Sequence, residues 1–558
     1  MLLTGAEIAS EVLIEQGVTD IFGYPGGAAL NLYDALYDRQ DRIHHHITAH
    51  EQGASHAADG YARSTGKVGV CISTSGPGAT NLVTGIATAY MDSIPMIAIT
   101  CNVAQSLIGK DSFQEVFITG VTMPITKYNV GIRSVNDLAD TIRECFRIAK
   151  SGRKGPVLID IPKDVLLAKC EYTPAEPIKT EMPSKPDPAL IMEAAKMINA
   201  AERPVLCFGG GAISADASKQ IASLIADGHI PACHTIMGTG VVSFGDEHDL
   251  GMVGMHGSLI ANEAIAEADL LIAAGIRFSD RVALNTGKFA PNAKILQFDI
   301  DPSENSKNIN VTSFVYGDLK DCLNELLPLI EKKERTEWFD RLNGLREKDY
   351  YPKSIPGQLR PHEIMEIIGE VVGEDAVIVT DVGQHQMWAA QYCKATRPRG
   401  FITSGGLGTM GFGYGAAIGT KFGVPEAKVI HITGDGSFHM NMNEACTAVS
   451  NDLQVITVIM DNKVLGMVHQ WQNLFFNQHY METEPGRRTD YVKVIEGFGG
   501  HGFEGDTPEH FRKALEEALT IQGPSWIRCP IDPDEFVLPM IPAGKTVEDI
   551  VVSEEDLY

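Results

Sequence analysis

The chain has 558 residues, too many for one ordinary hydrophobic core, so two to four domains are expected. Its 46 basic against 72 acidic side chains give a formal charge of −26, which argues against nucleic acid as the main partner. No run approaches the ~18 apolar residues of a membrane span, and ten cysteines without a C-x-x-C pair exclude a disulfide framework or zinc site.

The first residues carry acidic side chains and no basic leader pattern, so a cytoplasmic protein is expected. Apolar runs at 43–48, 68–74, 96–101 and 157–161 read as strands of a first domain over 1–170. A Pro- and charge-rich stretch, 171–188, leads to a second domain over 188–330, with strands at 205–208, 270–274 and 295–300. A second such stretch, 332–361, mixes a charged helix with more prolines. A third domain then covers 362–530, followed by a tail over 531–558 whose acidic end is expected to be solvated. Strand-like runs alternate with helical periodicity throughout. The fold class expected is α/β, with three doubly wound parallel-sheet domains.

In the first domain His50-Glu51-Gln52 opens a helix after the 43–48 strand. Taken alone, an acid there is simply what the helix macrodipole favours. In the second, Gly209-Gly210-Gly211 lacks GxGxxG spacing and reads as tight-turn glycine. The third carries the strongest signal. Runs 429–433 and 455–460 read as neighbouring parallel strands joined by a helix near 441–450, and Asp435 and Asn462 leave their carboxyl ends, where open α/β sheets bind ligands. One carboxylate plus one amide suits Mg2+, and Gly434 and Gly436 let a phosphate approach the backbone.

GYPGG, HEQ, TSGPGATN, YMDSIP, FQE, GRKGPVLIDIPKD, GMHG, RFSDR, DVGQHQMWAAQ, SGGLGTMGFG, GDG and GMVHQWQ follow one another along the chain. In this order they resemble the thiamine-diphosphate enzymes, and among them the acetolactate synthase (acetohydroxyacid synthase) large-subunit family. The resemblance implies pyrimidine-binding, central FAD-binding and diphosphate-binding domains, with thiamine diphosphate, Mg2+ and FAD as cofactors. It makes Glu51 the acid that hydrogen-bonds a pyrimidine nitrogen and favours the imino tautomer. Tyr24, Pro25 and Gly26 become thiamine-diphosphate contacts with it. Gly383, Gln384, His385, Gly408, Gly434, Asp435, Gly436, Ser437, Asn462, Gly466 and Met467 become further thiamine-diphosphate contacts. Met410 becomes the apolar wedge that bends the cofactor, a task suited to an adaptable thioether. Asp435, Asn462 and the Val464 carbonyl become metal ligands.

The same resemblance assigns Arg153, His256, Gly257, Gly275, Arg277, Asp280, Arg281, Asp299 and Asp318 to a largely structural FAD. Phe113, Gln114, Arg277 and Trp471 become substrate contacts, with Trp471 favouring 2-oxobutanoate as acceptor. The implied reaction decarboxylates pyruvate and transfers a hydroxyethyl unit to pyruvate or 2-oxobutanoate, in valine, leucine and isoleucine biosynthesis. A homodimer or homotetramer with sites shared between chains, and a small regulatory subunit, are implied partners. The chain departs from the pattern at Asp461, where the family has Asn, and at Ser279, where Asp is common. Lys110 and Ser112 also fall where the family often differs. A flavin-linked pyruvate oxidase or a plain 2-oxo acid decarboxylase would share the scaffold, but RFSDR and the Trp471 segment favour the synthase.

Overall fold

The computed structural model describes residues 1–180, 183 and 185–553. Three six-stranded sheets organise them, and every pairing within each sheet is parallel. The first runs in the spatial order His44–Ile47, Asp20–Gly23, Gly69–Ser73, Met96–Asn102, Pro156–Pro162, Tyr128–Gly131. The second runs Asp249–Met252, Ala232–His234, Pro204–Phe208, Leu270–Ala274, Lys294–Asp299, Ser313–Tyr316. The third runs Phe401–Ile402, Ala376–Thr380, Lys428–Gly434, Val455–Asp461, Ser525–Pro530, His501–Glu504. A short antiparallel pair, Leu2–Thr4 with Lys169–Glu171, closes the first unit.

The continuous apolar runs follow from both faces of each sheet being covered. Successive side chains of a strand point to opposite faces, so Ile97 and Ile99 enter one hydrophobic cluster while Met96 and Ala98 enter another. In the second sheet Leu206 and Phe208 divide in the same way from Val205 and Cys207. The third sheet sorts Ile430 and Ile432 from Val429. No described helix is long and apolar enough to cross a membrane.

Two stretches between and beyond the sheets are more ordered than their polarity suggests. The charged helix of the 332–361 segment, Thr336–Arg346, buries Trp338, Leu342 and Leu345 in a core face of the second sheet. The tail is not simply solvated up to residue 553: Val551 pairs antiparallel with Met540, with N–H···O distances of 2.8 and 2.9 Å. The reason is apolar packing, because Val551 lies against Met255, Leu538 and Met540. The remainder of that acidic end lies outside the described residues.

The first and third units are joined backbone to backbone. Helix Phe412–Gly423 lies along helix Glu51–Thr65, and a Cβ on Gly419 would come 1.8 Å from the Ala57 carbonyl oxygen. Gly60 faces the Ala416 carbonyl at 2.1 Å in the same sense. Side chains at these two positions would wedge the helices apart.

Candidate functional site

Three neighbouring strands of the third sheet deliver three motifs to one edge. Ala376–Thr380 leads into Asp381 and the Gly383–His385 segment, Lys428–Gly434 into Asp435, and Val455–Asp461 into Asn462. Parallel strands place their carboxyl ends together, which is why residues far apart in sequence meet here. Asp435 is 2% exposed and its Oδ1 has no hydrogen-bond partner. Burial, reinforced by nearby Asp461, pushes its carboxyl up to about 7. A buried carboxylate oxygen without a partner is costly, and a bound cation would remove that cost.

Asn462 is fixed from two sides. Its Nδ2 donates to Gln384 Oε1 at 3.2 Å, while its Oδ1 accepts the Val464 N–H at 3.2 Å. Gln384 is itself held, donating to Gln470 Oε1 at 3.0 Å and to the Glu535 carbonyl at 2.9 Å. Gly466 makes room for this pair, since a Cβ there would fall 1.9 Å from Gln384 Oε1. Val464 is buried next to the amide. His385 is also buried, its Nε2 is unpartnered, and burial pulls it down to about 3, so the ring is neutral.

The glycine-rich loop leans on the same edge. Asp381 Oδ1 accepts the Gly411 N–H at 2.7 Å, Ser437 Oγ accepts it at 3.1 Å, and Asn441 Nδ2 donates to the Gly411 carbonyl at 2.6 Å. Half-buried Met410 is thereby set beside Gly436, whose hypothetical Cβ would lie 4.0 Å from Met410 Cε. Gly408 has φ +68 and makes the bend that precedes Met410. Gly466 and Met467 open helix Gly466–Phe475.

The second carboxylate stands at the equivalent edge of the first sheet. His44–Ile47, Asp20–Gly23 and Gly69–Ser73 are neighbours, and their ends lead to Glu51, to Tyr24-Pro25-Gly26 and to the Ser75–Gly78 turn. Glu51 Oε2 accepts from Asn81 Nδ2 at 3.0 Å, whereas Oε1 faces Gly78, where a Cβ would stand 3.1 Å away. One oxygen is therefore anchored and the other faces space kept clear by a glycine. Gly26 packs on the Thr74 side chain, and Tyr24 is 41% exposed beside it. Among the described residues no hydrogen bond or ion pair joins Glu51 to Asp435 or Asn462.

The residues expected at a flavin divide into groups. Arg153 reaches across from the first unit, donating to Ser93 Oγ at 2.8 Å, Glu304 Oε1 at 3.0 Å and Asp301 Oδ2 at 3.3 Å. Asp299, at the end of an adjoining strand, is pushed up to about 6 by burial, and burial pulls Arg277 below the usual guanidinium range. His256 is buried with Nδ1 unpartnered, and burial pulls it down to about 4. Gly257 packs against the backbone of Met252 and Val253, and Gly275, with φ +62, against that of Gly211. Asp318 is occupied differently, its carboxylate capping helix Leu319–Leu326. Asp280 and Arg281 pair with each other at 3.4 Å on the exposed surface.

Of the expected substrate contacts, Gln114 has φ +60 and lies against Gly76, near the Glu51 edge, while Phe113 is 87% exposed. Trp471 packs with Met255, Leu538 and Met540, and its Nε1 is buried without a partner. Reasoning from sequence passed over Asn81, Asp381, Asn441, Glu444 and Arg528. Asn81 and Asp381 lie within the motifs TSGPGATN and DVGQHQMWAAQ and so carried a signal; the others carried none.

Residues 3–122 match the N-terminal TPP binding domain of thiamine pyrophosphate enzymes, residues 191–326 their central domain, and residues 381–529 their C-terminal TPP binding domain. The protein is thus a thiamine pyrophosphate enzyme. It is 46% identical to a probable acetolactate synthase large subunit of Methanocaldococcus jannaschii, over 98% of this chain and 95% of that one. It is 44% identical to an acetolactate synthase of Mycobacterium bovis (98% and 91%) and 42% identical to the acetolactate synthase large subunit of Pyropia yezoensis (97% and 94%). The chain belongs to the acetolactate synthase large-subunit family.

Proposed function

We infer that this chain is a catalytic acetolactate synthase subunit, which decarboxylates pyruvate and joins the remaining two-carbon unit to a second pyruvate or to 2-oxobutanoate. The observation that carries this reading is a pair of unlike carboxylates. Asp435 is buried with an oxygen open to a cation, and Glu51 is anchored through one oxygen with the other facing cleared space.

When bound, thiamine diphosphate supplies the nucleophilic carbon and the electron sink that decarboxylation requires. Asp435, Asn462 and the Val464 carbonyl would hold Mg2+, which tolerates few protein ligands and shares the rest with phosphate oxygens and water. Gly434, Gly436 and Ser437 would admit the diphosphate, with Gly383, Gln384 and His385 on its other side. Met410, fixed through Gly411, would offer the cofactor an apolar surface. The free oxygen of Glu51 would share a proton with the cofactor when it is bound, which is general acid–base work.

FAD is the second cofactor in this reading. Arg277, Asp299 and His256 fit such a ligand, since they combine desolvated charge with an unpartnered buried nitrogen, and Arg153 pairs with Asp301 just beyond Asp299. Asp318, Asp280 and Arg281 lend it less support. Phe113, Gln114, Arg277 and Trp471 remain the proposed substrate contacts, with Trp471 favouring 2-oxobutanoate. The family resemblance supports a homodimer or homotetramer, in which two chains complete a site, as the working form. Relatives named as large subunits support a small regulatory subunit as a further partner.

The deciding experiment is incubation of the purified protein with pyruvate, with and without 2-oxobutanoate, in the presence of thiamine diphosphate, Mg2+ and FAD. The expected products are 2-acetolactate and 2-aceto-2-hydroxybutanoate. Release of free aldehyde, or pyruvate-dependent reduction of an electron acceptor without acetolactate, would overturn the assignment.

A further inference from the structure

Glu444 is a fully buried acid that the reaction does not consume. It lies nine residues beyond Asp435, at the end of the turn Met442–Glu444, and its carboxylate reaches the first unit. Oε2 accepts the N–H of Ala49 at 3.0 Å and Oε1 accepts the N–H of His50 at 3.0 Å. Thr447 supports it, donating from Oγ1 to Glu444 Oε2 at 2.7 Å and accepting the Ala49 N–H at 3.1 Å.

Ala49 and His50 are the two residues immediately before Glu51. His50 is the N-cap of the Glu51–Thr65 helix, its Nδ1 accepting the Gln52 N–H. Backbone N–H groups at a helix entrance must find acceptors, and those acceptors set the path by which the chain enters the helix. Here each of the two N–H groups is bound by a Glu444 oxygen, 394 positions from His50 and 395 from Ala49. A second observation shows that the fit is built: at Gly53, two residues after Glu51, a Cβ would fall 2.0 Å from Glu444 Oε1, so the close approach of this carboxylate requires glycine there.

We propose that Glu444 is a positioning residue for Glu51: by holding the Ala49 and His50 amides it fixes the angle at which the Glu51 carboxylate meets the cofactor ring. This rests on the thiamine-diphosphate reading above. It also makes the segment that starts with the metal-binding Asp435 responsible for the orientation of the distant proton-handling acid in the same chain.

The test reads proton handling without substrate, by following exchange of the thiazolium C2 hydrogen of thiamine diphosphate for deuterium in the Mg2+-loaded full-length protein. Glu444→Ala should slow exchange by about 10- to 100-fold, the scale on which small misplacements of a reacting group act, while the thiamine-diphosphate dissociation constant changes by less than about threefold. Glu444→Gln, which keeps one acceptor oxygen, should fall between it and the wild type. In a Glu51→Gln background the Glu444 substitution should add nothing, because its effect runs through Glu51. Exchange within about twofold of wild type, or an equal further loss in the Glu51→Gln background, would overturn the proposal. Should Glu444→Ala fail to fold, Glu444→Gln is judged by the same criteria. A wild-type protein that did not accelerate exchange at all would overturn the cofactor reading as well, which separates the two failures.

Discussion

Asp461 Oδ2 lies 2.6 Å from Arg528 Nε and 2.7 Å from Lys463 Nζ. The position where the resemblance leads one to expect an amide thus holds a buried carboxylate that carries its own counterions, one of them from the neighbouring strand Ser525–Pro530. Breaking a buried pair by removing one partner leaves an uncompensated charge. Arg528→Gln should therefore destabilise the protein by about 2–4 kcal/mol, and Asp461→Asn introduced with it should restore most of the loss. Chemical denaturation of the two single variants and the double variant checks this, and additive effects would count against the pairing.

Gly466→Ala would set a methyl group against Gln384 Oε1 and, at 2.8 Å, Asn462 Nδ2. Overpacking of that kind costs about 1–3 kcal/mol. The expected result is at least about tenfold weaker Mg2+-dependent binding of thiamine diphosphate, followed by intrinsic fluorescence, with the overall fold retained in circular dichroism.

Glu51→Gln preserves the shape of the side chain and the contact with Asn81 but removes the proton-sharing group. Turnover should fall by about 10²- to 10⁴-fold, the usual share of general acid–base catalysis, with little change in thermal stability. Wild-type turnover in this variant would refute the role given to Glu51.

Trp471→Leu removes an indole that packs among Met255, Leu538 and Met540. If the ring selects the larger acceptor, the ratio of 2-aceto-2-hydroxybutanoate to 2-acetolactate should fall by the equivalent of about 1–3 kcal/mol in competition assays with both 2-oxo acids. An unchanged ratio would assign Trp471 to packing alone.

Asp299 gives a pH dependence with a definite sign. It titrates at about 6 when folded and near 3.9 when unfolded, so the folded state holds the proton more tightly. Its stabilising contribution is complete below about pH 4 and is lost as the pH rises through 6, amounting to at most about 3 kcal/mol. Asp299→Asn should flatten this part of the stability profile of the flavin-free protein, measured by denaturant unfolding between pH 4 and 7. A slope equal to that of the wild type would mean that Asp299 does not titrate there.

The sequence by itself determined the three parallel sheets and the edge on which chemistry is placed. Short apolar runs and helical periodicity are local signals, and a carboxyl-terminal strand end needs no distant residue to be recognised, so Asp435 and Asn462 stood out as ligand candidates by position, whereas Glu51 stood out only through the family motifs around it. What only the tertiary structure decided is how those positions are held. Gln384 steadies Asn462 across 78 positions, Arg528 neutralises Asp461 across 67, and Glu444 grips the entrance to the Glu51 helix across 394. These contacts depend on the close approach of helices Glu51–Thr65 and Phe412–Gly423 at Gly60 and Gly419, and on which strand lies beside which. Neither is encoded in the periodicity of any one segment. Burial then decides the chemistry, because the same carboxyl group is an ordinary surface acid in water and a proton or metal holder once desolvated.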